Sequence, residues 1–297
     1  MNSTEVTPSN STGAAGSPTV SKEIIIVIAT LLFVFGLAGN GLIVYVYARF
    51  RQLRTLTNYF VLNLAIADLL LIAGLAAWII EDIRGSPNER VLKAFMINID
   101  LLCFSASMLS MTAVSVDRYF AVTKPLQYEY IITRSRARKA TIITWAYSLI
   151  MFGIGLIRSL VDEKVNFDKI FITTLTVTSF VIPAIIMIFA QLSIFRVAWI
   201  TKRKPRDLRE LPCGRTKEIA KRLKLSFNTL IILVPMVTAW GIFYGITVLE
   251  NHCKTCYDFP VPFSITVGFL PYVAAAIDPI VYVLVTRDLR LRLCRWF

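Results

Sequence analysis

Asp100-Leu-Leu-Cys103-Phe104-Ser-Ala-Ser107-Met-Leu-Ser-Met-Thr-Ala-Val-Ser-Val-Asp117-Arg118-Tyr119 is the stretch whose reading decides the fold. The sixteen residues between Asp100 and Asp117 carry no formal charge, and apolar sequence continues on both sides. Read as a helix, the eighteen residues from Asp100 to Arg118 make about five turns, so both side chains leave the same face. At ~1.5 Å per residue they stand about 27 Å apart, close to the ~30 Å hydrocarbon thickness of a bilayer. An acid near one membrane face and an Asp-Arg pair near the other, on one rod, is an arrangement suited to carrying a change of state across.

The rest of the chain agrees with a membrane setting. Apolar residues are 56% of the 297 and charged residues 17%, against ~25% charged in soluble domains. The apolar residues fall into seven segments, near 23–48, 56–80, 92–123, 139–160, 170–199, 220–248 and 262–285. Each reaches the ~20 residues that a span needs. Charges inside them are few: Asp68, Asp100, Asp117, Arg118, Arg158, Arg196, Asp278 and some near the ends. The net charge of +13 lies in the loops between spans. A nucleic-acid binder would carry it on a solvated face or tail, so membrane lipids rather than nucleic acid are the expected partner.

Basic residues set the orientation. With the N-terminus outside, 24 of the 32 Lys and Arg lie at or beyond the inner ends of spans and 8 on the outer side. Residues 1–22, rich in Ser, Thr, Gly and Pro, then form a disordered outer tail. Its sequons at Asn2 and Asn10 suit glycosylation. No basic stretch precedes an apolar one here, so the first span is expected to act as an uncleaved signal. Residues 23–285 form the bundle. Residues 286–297 alternate basic and apolar positions and are predicted to lie as an amphipathic helix on the inner interface, with Cys294 a candidate for palmitoylation. Cys253 and Cys256 share one short loop with the lone His252. A small local disulfide suits that spacing in an outer loop better than free thiols or an incomplete zinc site.

Several motifs inside the segments carry a family resemblance. They are Gly39-Asn40, Leu62-Asn63-Leu64-Ala65-Ile66-Ala67-Asp68-Leu69, Asp117-Arg118-Tyr119, Trp145, Pro183 and Asp278-Pro279-Ile-Val-Tyr282. In this order and in these segments, the chain resembles rhodopsin-like (class A) G-protein-coupled receptors over residues 23–297. Asp100-Leu-Leu-Cys103-Phe104 followed by Asp-Arg-Tyr-Phe-Ala-Val-Thr-Lys-Pro-Leu-Gln-Tyr resembles the aminergic branch. The resemblance implies an all-α bundle of seven transmembrane helices in the plasma membrane, a small cationic ligand outside and a heterotrimeric G protein inside.

It also assigns residues. A carboxylate in a span costs at least ~2.5 kcal/mol unless paired or hydrated. Asp100 would pair with a ligand ammonium, braced by Tyr272; the alternative is a structural ion pair with Arg158 or Lys93. Cys103, Phe104 and Ser107 follow Asp100 at helical spacing, and Cys103, Phe104 and Trp240 join the ligand-binding set. Thr176 and Ser179, on the fifth helix, lie where amine receptors present hydroxyls, although some hydroxyls there bond back to their own helix. At the inner end Asp117, Arg118 and Tyr119 would form the activation motif, latched in the resting state to Glu218. Pro125 and Leu126 would plug into the G protein, while Pro279 and Tyr282 complete the inner set. Asp68, Ser107 and Asp278 offer the hard oxygens that suit a sodium ion, and a water cluster would use the same groups. No other cofactor is implied.

Departures from the family are equally visible. No cysteine opens the third helix, and none lies between Ser159 and Asp168. Anchored on Pro235, the sixth helix has Leu233 where a tryptophan is expected, with Trp240 further out; Gln191 stands where the fifth helix usually has tyrosine. These leave signalling efficiency, and a peptide or lipid ligand or constitutive activity, as open readings. Retinal binding is disfavoured because the seventh span has no lysine. A transporter would more often show paired repeat halves and broken helices. An enzyme would need a catalytic constellation that no span contains.

Overall fold

The computed structural model describes residues 22–84, 90–161, 165–203, 213–253 and 259–285. The outer tail with Asn2 and Asn10, Cys256, and the 286–297 segment with Cys294 lie outside the described residues. Seven long helices account for nearly all of the rest. They are α1 (Lys22–Arg49), α2 (Leu56–Arg84), α3 (Arg90–Thr123), α4 (Arg134–Leu160), α5, α6 (Cys213–His252) and α7 (Val261–Val285). The fifth runs through Val165–Thr176, a wide turn at Val177–Val181, and Ile182–Arg203. Six of these, α1 to α6, are long and apolar enough among the described residues to cross a membrane. The seventh has 25 residues and one formal charge, Asp278.

The helices form a closed ring, each packing on its neighbours in chain order with α7 returning to α1, and α3 threads the middle against α2, α4, α5 and α6. Burial follows that plan. In the most apolar window of α3, 72% is buried inside the protein, against 17% for α1 and 11% for α4. Ile142, Ile143, Ile150 and Ile157 of α4 are all more than half exposed, as a lipid-facing stripe requires when no water is present to penalise apolar surface.

Two prolines show how the sequence shapes the bundle. A proline lacks the N–H that would bond the carbonyl four residues back. For Pro279 that carbonyl is Ala275 O, and Asn40 Nδ2 donates to it at 3.0 Å from α1. Gly39 lets the helices meet there, since a Cβ would stand 2.8 Å from Pro279. For Pro183 the freed carbonyl belongs to Ser179, and the helix widens: Ile182 N bonds back to Val177 O, five residues away.

Two expected boundaries move. The basic run from Arg134, read as loop, is the first two turns of α4, because Thr133 caps them by accepting from Arg136 N at 3.3 Å. The sixth helix starts at Cys213 rather than near 220; Glu218 lies in it, but its side chain is outside the described residues.

Candidate ligand and transducer sites

The N-terminal half of α3 turns Asp100 into the bundle, 9% exposed. One carboxylate oxygen, Oδ2, accepts from the Tyr272 hydroxyl at 2.7 Å and from Trp78 Nε1 at 3.1 Å. The other, Oδ1, is buried and accepts no hydrogen bond. It lies over Gly74, where a Cβ would come within 2.9 Å of it. Among the described residues no cation pairs with Asp100: Arg158 is bonded instead to Asp168 at 3.1 Å and stands 5.2 Å over the Phe171 ring. Buried charges are otherwise paired, so this carboxylate is half satisfied and its open oxygen faces inward.

An aromatic wall adjoins it. Phe104, one turn below Asp100, meets Trp240 edge-on at 4.4 Å, Phe243 at 5.4 Å and Tyr272 at 6.2 Å. Tyr244 stacks on Trp240 and Phe180. Trp240 is therefore core, 1% exposed with its Nε1 unbonded. This corrects the expected register of α6. A tryptophan is not missing from the middle of the bundle; it stands seven residues beyond Leu233, about two turns, because packing on Phe104 rather than the position of Pro235 decides which residue faces α3.

The α5 hydroxyls divide. Ser179 is fully buried and already engaged, 3.1 Å from Ser105 of α3 and 2.9 Å from the Tyr147 hydroxyl of α4, which also bonds Thr178. It ties three helices together and is not free for a ligand, contrary to the expectation. Thr176 Oγ1 is buried without a partner and remains available. Cys103 is buried as a free thiol.

At mid-depth Ser107 donates to Asp68 Oδ1 at 2.5 Å. Asp68 Oδ2 is buried and unbonded, and Asp278 is buried close enough for their charges to interact. These hard oxygens fit a sodium ion. Asp68, Ser107 and Asp278 would hold it, and its charge would offset two carboxylates brought together. No group of three or more His, Cys, Asp or Glu that could hold a metal ion occurs among the described residues, so a sodium ion here would rest on two carboxylates and a hydroxyl.

The C-terminal end of α3 differs in kind. Asp117, fully buried, accepts from Arg118 at 2.8 Å, Thr57 at 2.6 Å and, on its other oxygen, the Tyr128 hydroxyl at 2.7 Å. Burial, reinforced by the Asp117 charge, pushes the Tyr128 hydroxyl well above its usual pKa, so it stays a donor. Tyr119 packs on Phe189 of α5. Leu126 stands 81% exposed beside Pro125, and Tyr282 lies within electrostatic reach of Arg118. Gln191 is buried with both amide atoms unbonded. Just after α6, Cys253 is disulfide-bonded.

Sequence reasoning missed Trp78, Gly74, Thr57 and Tyr128. Tyr128 had a usable signal in the Pro-Leu-Gln-Tyr string after Asp117-Arg118-Tyr119. Trp78 and Gly74 had none, because only packing reveals which face of α2 meets α3.

Seven long helices, six of them packed around or beside the buried, acid-bearing α3, make the architecture of a polytopic membrane protein. The family model of the 7 transmembrane receptor (rhodopsin family) matches residues 39–282, and the chain belongs to that family. It is 31% identical to the alpha-1A adrenergic receptor of Oryctolagus cuniculus over 211 residues, 68% of this chain and 45% of that one. To the receptor of the same name in Homo sapiens it is 32% identical over 212 residues, again 68% and 45%. The chain thus spans less than half the length of the curated relatives it matches. The family makes it a receptor and a multi-pass membrane protein rather than an enzyme.

Proposed function

We propose that this receptor binds a small cationic amine between α2, α3, α6 and α7 and activates a heterotrimeric G protein at the opposite end of α3. The observation that carries the reading is Asp100: one oxygen clamped by Tyr272 and Trp78, the other buried and unpaired. A ligand ammonium supplies the missing charge and donor. The faces of Phe104 and Trp240 favour a cation or an aromatic ring beside it, and Thr176 can bond a polar group at the ligand's far end. The adrenergic relatives support the amine class, while identity near a third leaves the particular amine unnamed.

In this mechanism the amine tightens α3 against α7 and α2 through one carboxylate. Phe104 shares the change with α6 through Trp240. Inside, rearrangement around Arg118 opens a cleft between α3 and α6 for the G protein, with Pro125 and Leu126 as the apolar contact. Sodium at Asp68 favours the unliganded arrangement.

Expression of the chain and of Asp100→Asn, each screened against an amine panel with G-protein activation as readout, tests this. Amines should activate the parent and lose about 100-fold or more in potency on the variant, the scale of a desolvated charge pair. Equal activation of both would overturn the ligand assignment. A second reading, ligand-independent signalling, draws on Gln191: its unbonded amide replaces a tyrosine at the inner half of α5. High basal activity without any amine would favour it.

A further inference from the structure

Two residues before Asp100 stands Asn98. On a helix their side chains leave about 200° apart, and they meet opposite neighbours. Asp100 meets Trp78 of α2 and Tyr272 of α7, whereas Asn98, fully buried, meets α4. Its Nδ2 donates to Ser159 Oγ at 2.9 Å and to Ala94 O of its own helix at 2.6 Å. Ser159 Oγ in turn donates to Gly155 O at 2.9 Å. We propose that Asn98 is a positioning residue: seated on the Gly155–Ser159 turn of α4, it sets the rotation of α3 and so aims Asp100 at the ligand. This rests on the reading of Asp100 as the ligand's anchor.

Little else fixes that rotation. Between Val91 and Ile97 only Ala94 and Met96 are buried, while Val91, Leu92, Phe95 and Ile97 are exposed. Apolar burial is non-directional, so two small contacts tolerate a twist of the helix. A hydrogen bond has a preferred angle and does not. Gly155 makes the seat possible: a Cβ there would overlap Asn98 Oδ1 and come within 3.3 Å of Phe171 of α5. Small residues allow such close approach where membrane helices pack.

The seat carries a cost that points to its role. Asn98 Oδ1 is buried with no hydrogen bond, a penalty that a leucine of similar size would not incur. A polar group kept at such a cost in an apolar interface is best attested as a setter of register. The same turn of α4 is braced from its other side. Arg158 donates to Asp168 of α5 at 3.1 Å and lies 5.2 Å over the Phe171 ring, so α4 is held to α5 where it holds α3. No cysteine lies in α3 before Cys103, nor between Ser159 and Asp168, so no disulfide duplicates this tie.

The experiment uses the full chain labelled with 5-fluorotryptophan, in lipid nanodiscs without any amine, followed by fluorine NMR. W78F assigns the Trp78 resonance, and D100A marks where it moves when its carboxylate partner is lost. G155A should move the resonance toward the D100A position. S159A, which removes only the acceptor, should move it less and in the same direction. N98A/G155A should return it to the position of N98A alone, because the overlap created by G155A is gone. I157A, on the exposed face of the same turn, should leave it in place. In an amine panel G155A should lose about tenfold in potency or more, and N98A/G155A no more than N98A, the non-additivity of groups in contact. A merely stabilising contact would lower the thermal midpoint without moving Trp78. Helix content reports whether each variant folds, and if G155A does not, S159A and N98A carry the test. A Trp78 resonance unmoved in the folded variants, or moved equally by I157A, would overturn the proposal, as would a double variant no better than G155A. If no amine activates the parent, the ligand reading fails, while the fluorine shifts still decide whether Asn98 aims Asp100.

Discussion

The two ends of α3 hold the same chemical group in opposite states. At the C-terminal end Asp117 is saturated by Arg118, Thr57 and Tyr128. At the N-terminal end Asp100 has two neutral donors on one oxygen, nothing on the other, and no cation among the described residues. Saturation makes Asp117 a structural group whose loss strands Arg118. Incompleteness leaves Asp100 with one buried oxygen unpartnered. One helix thus joins a charge that is settled to a charge that is open, and that open charge is what the proposed ligand would complete.

The sharpest way to break that contrast is to remove each acid and measure the unliganded protein. Asp117→Ala leaves a buried guanidinium, 7% exposed, without its partner, which costs ~3–5 kcal/mol. The thermal midpoint in detergent should fall by roughly 10 °C. Asp100→Asn removes a buried charge that has no counter-ion, so the same midpoint should hold or rise. Equal losses in the two variants would mean that Asp100 is structurally paired and the contrast is false. A smaller change sharpens the N-terminal end alone. Tyr272→Phe keeps the ring against Phe104 but deletes the donor to Asp100 Oδ2. A hydrogen bond to a charged group is worth ~1.5–3 kcal/mol, so the midpoint of the unliganded protein should fall by a few degrees, and amine potency should drop about tenfold if the brace tightens on the ligand-bound acid. Unchanged potency would show that Tyr272 does not brace the ligand-bound acid.

Much of this arrangement is legible in the residues themselves. Charge-free runs and the loop bias of Lys and Arg are one-dimensional signals, and they yield seven spans. Tyr272 is readable as a partner of Asp100 only through the family resemblance, which its place seven residues before Pro279 matches. What the sequence does not carry is the choice of face across helices. Ser179 looked like a free hydroxyl and is spent on Ser105 and Tyr147, which lie on two other helices. Trp240 looked displaced because Pro235 is the visible punctuation of α6, yet helix rotation is set by the buried aromatic contact with Phe104. Gly74 and Trp78 gain meaning only once α2 is laid against α3.

The smallest expected effect lies between the two ends. Asp68 resembles Asp100 in having one oxygen bonded, here by Ser107, and one left open, but Asp278 rather than an aromatic wall is its neighbour. Two carboxylates in one buried pocket repel, and a sodium ion between them removes that repulsion without needing a ligand from outside. If sodium binds there and favours the resting arrangement, replacing potassium by sodium should weaken amine potency about fivefold, a modest allosteric coupling. Asp68→Asn should erase the difference, since it removes both the charge and the open anionic oxygen. Waters filling the same space would not distinguish the two cations. A sodium shift that survives Asp68→Asn would place the ion elsewhere, and no shift in the parent would assign the pocket to water. In either case the incomplete acid at mid-depth would belong with Asp117 as structure rather than with Asp100 as a site.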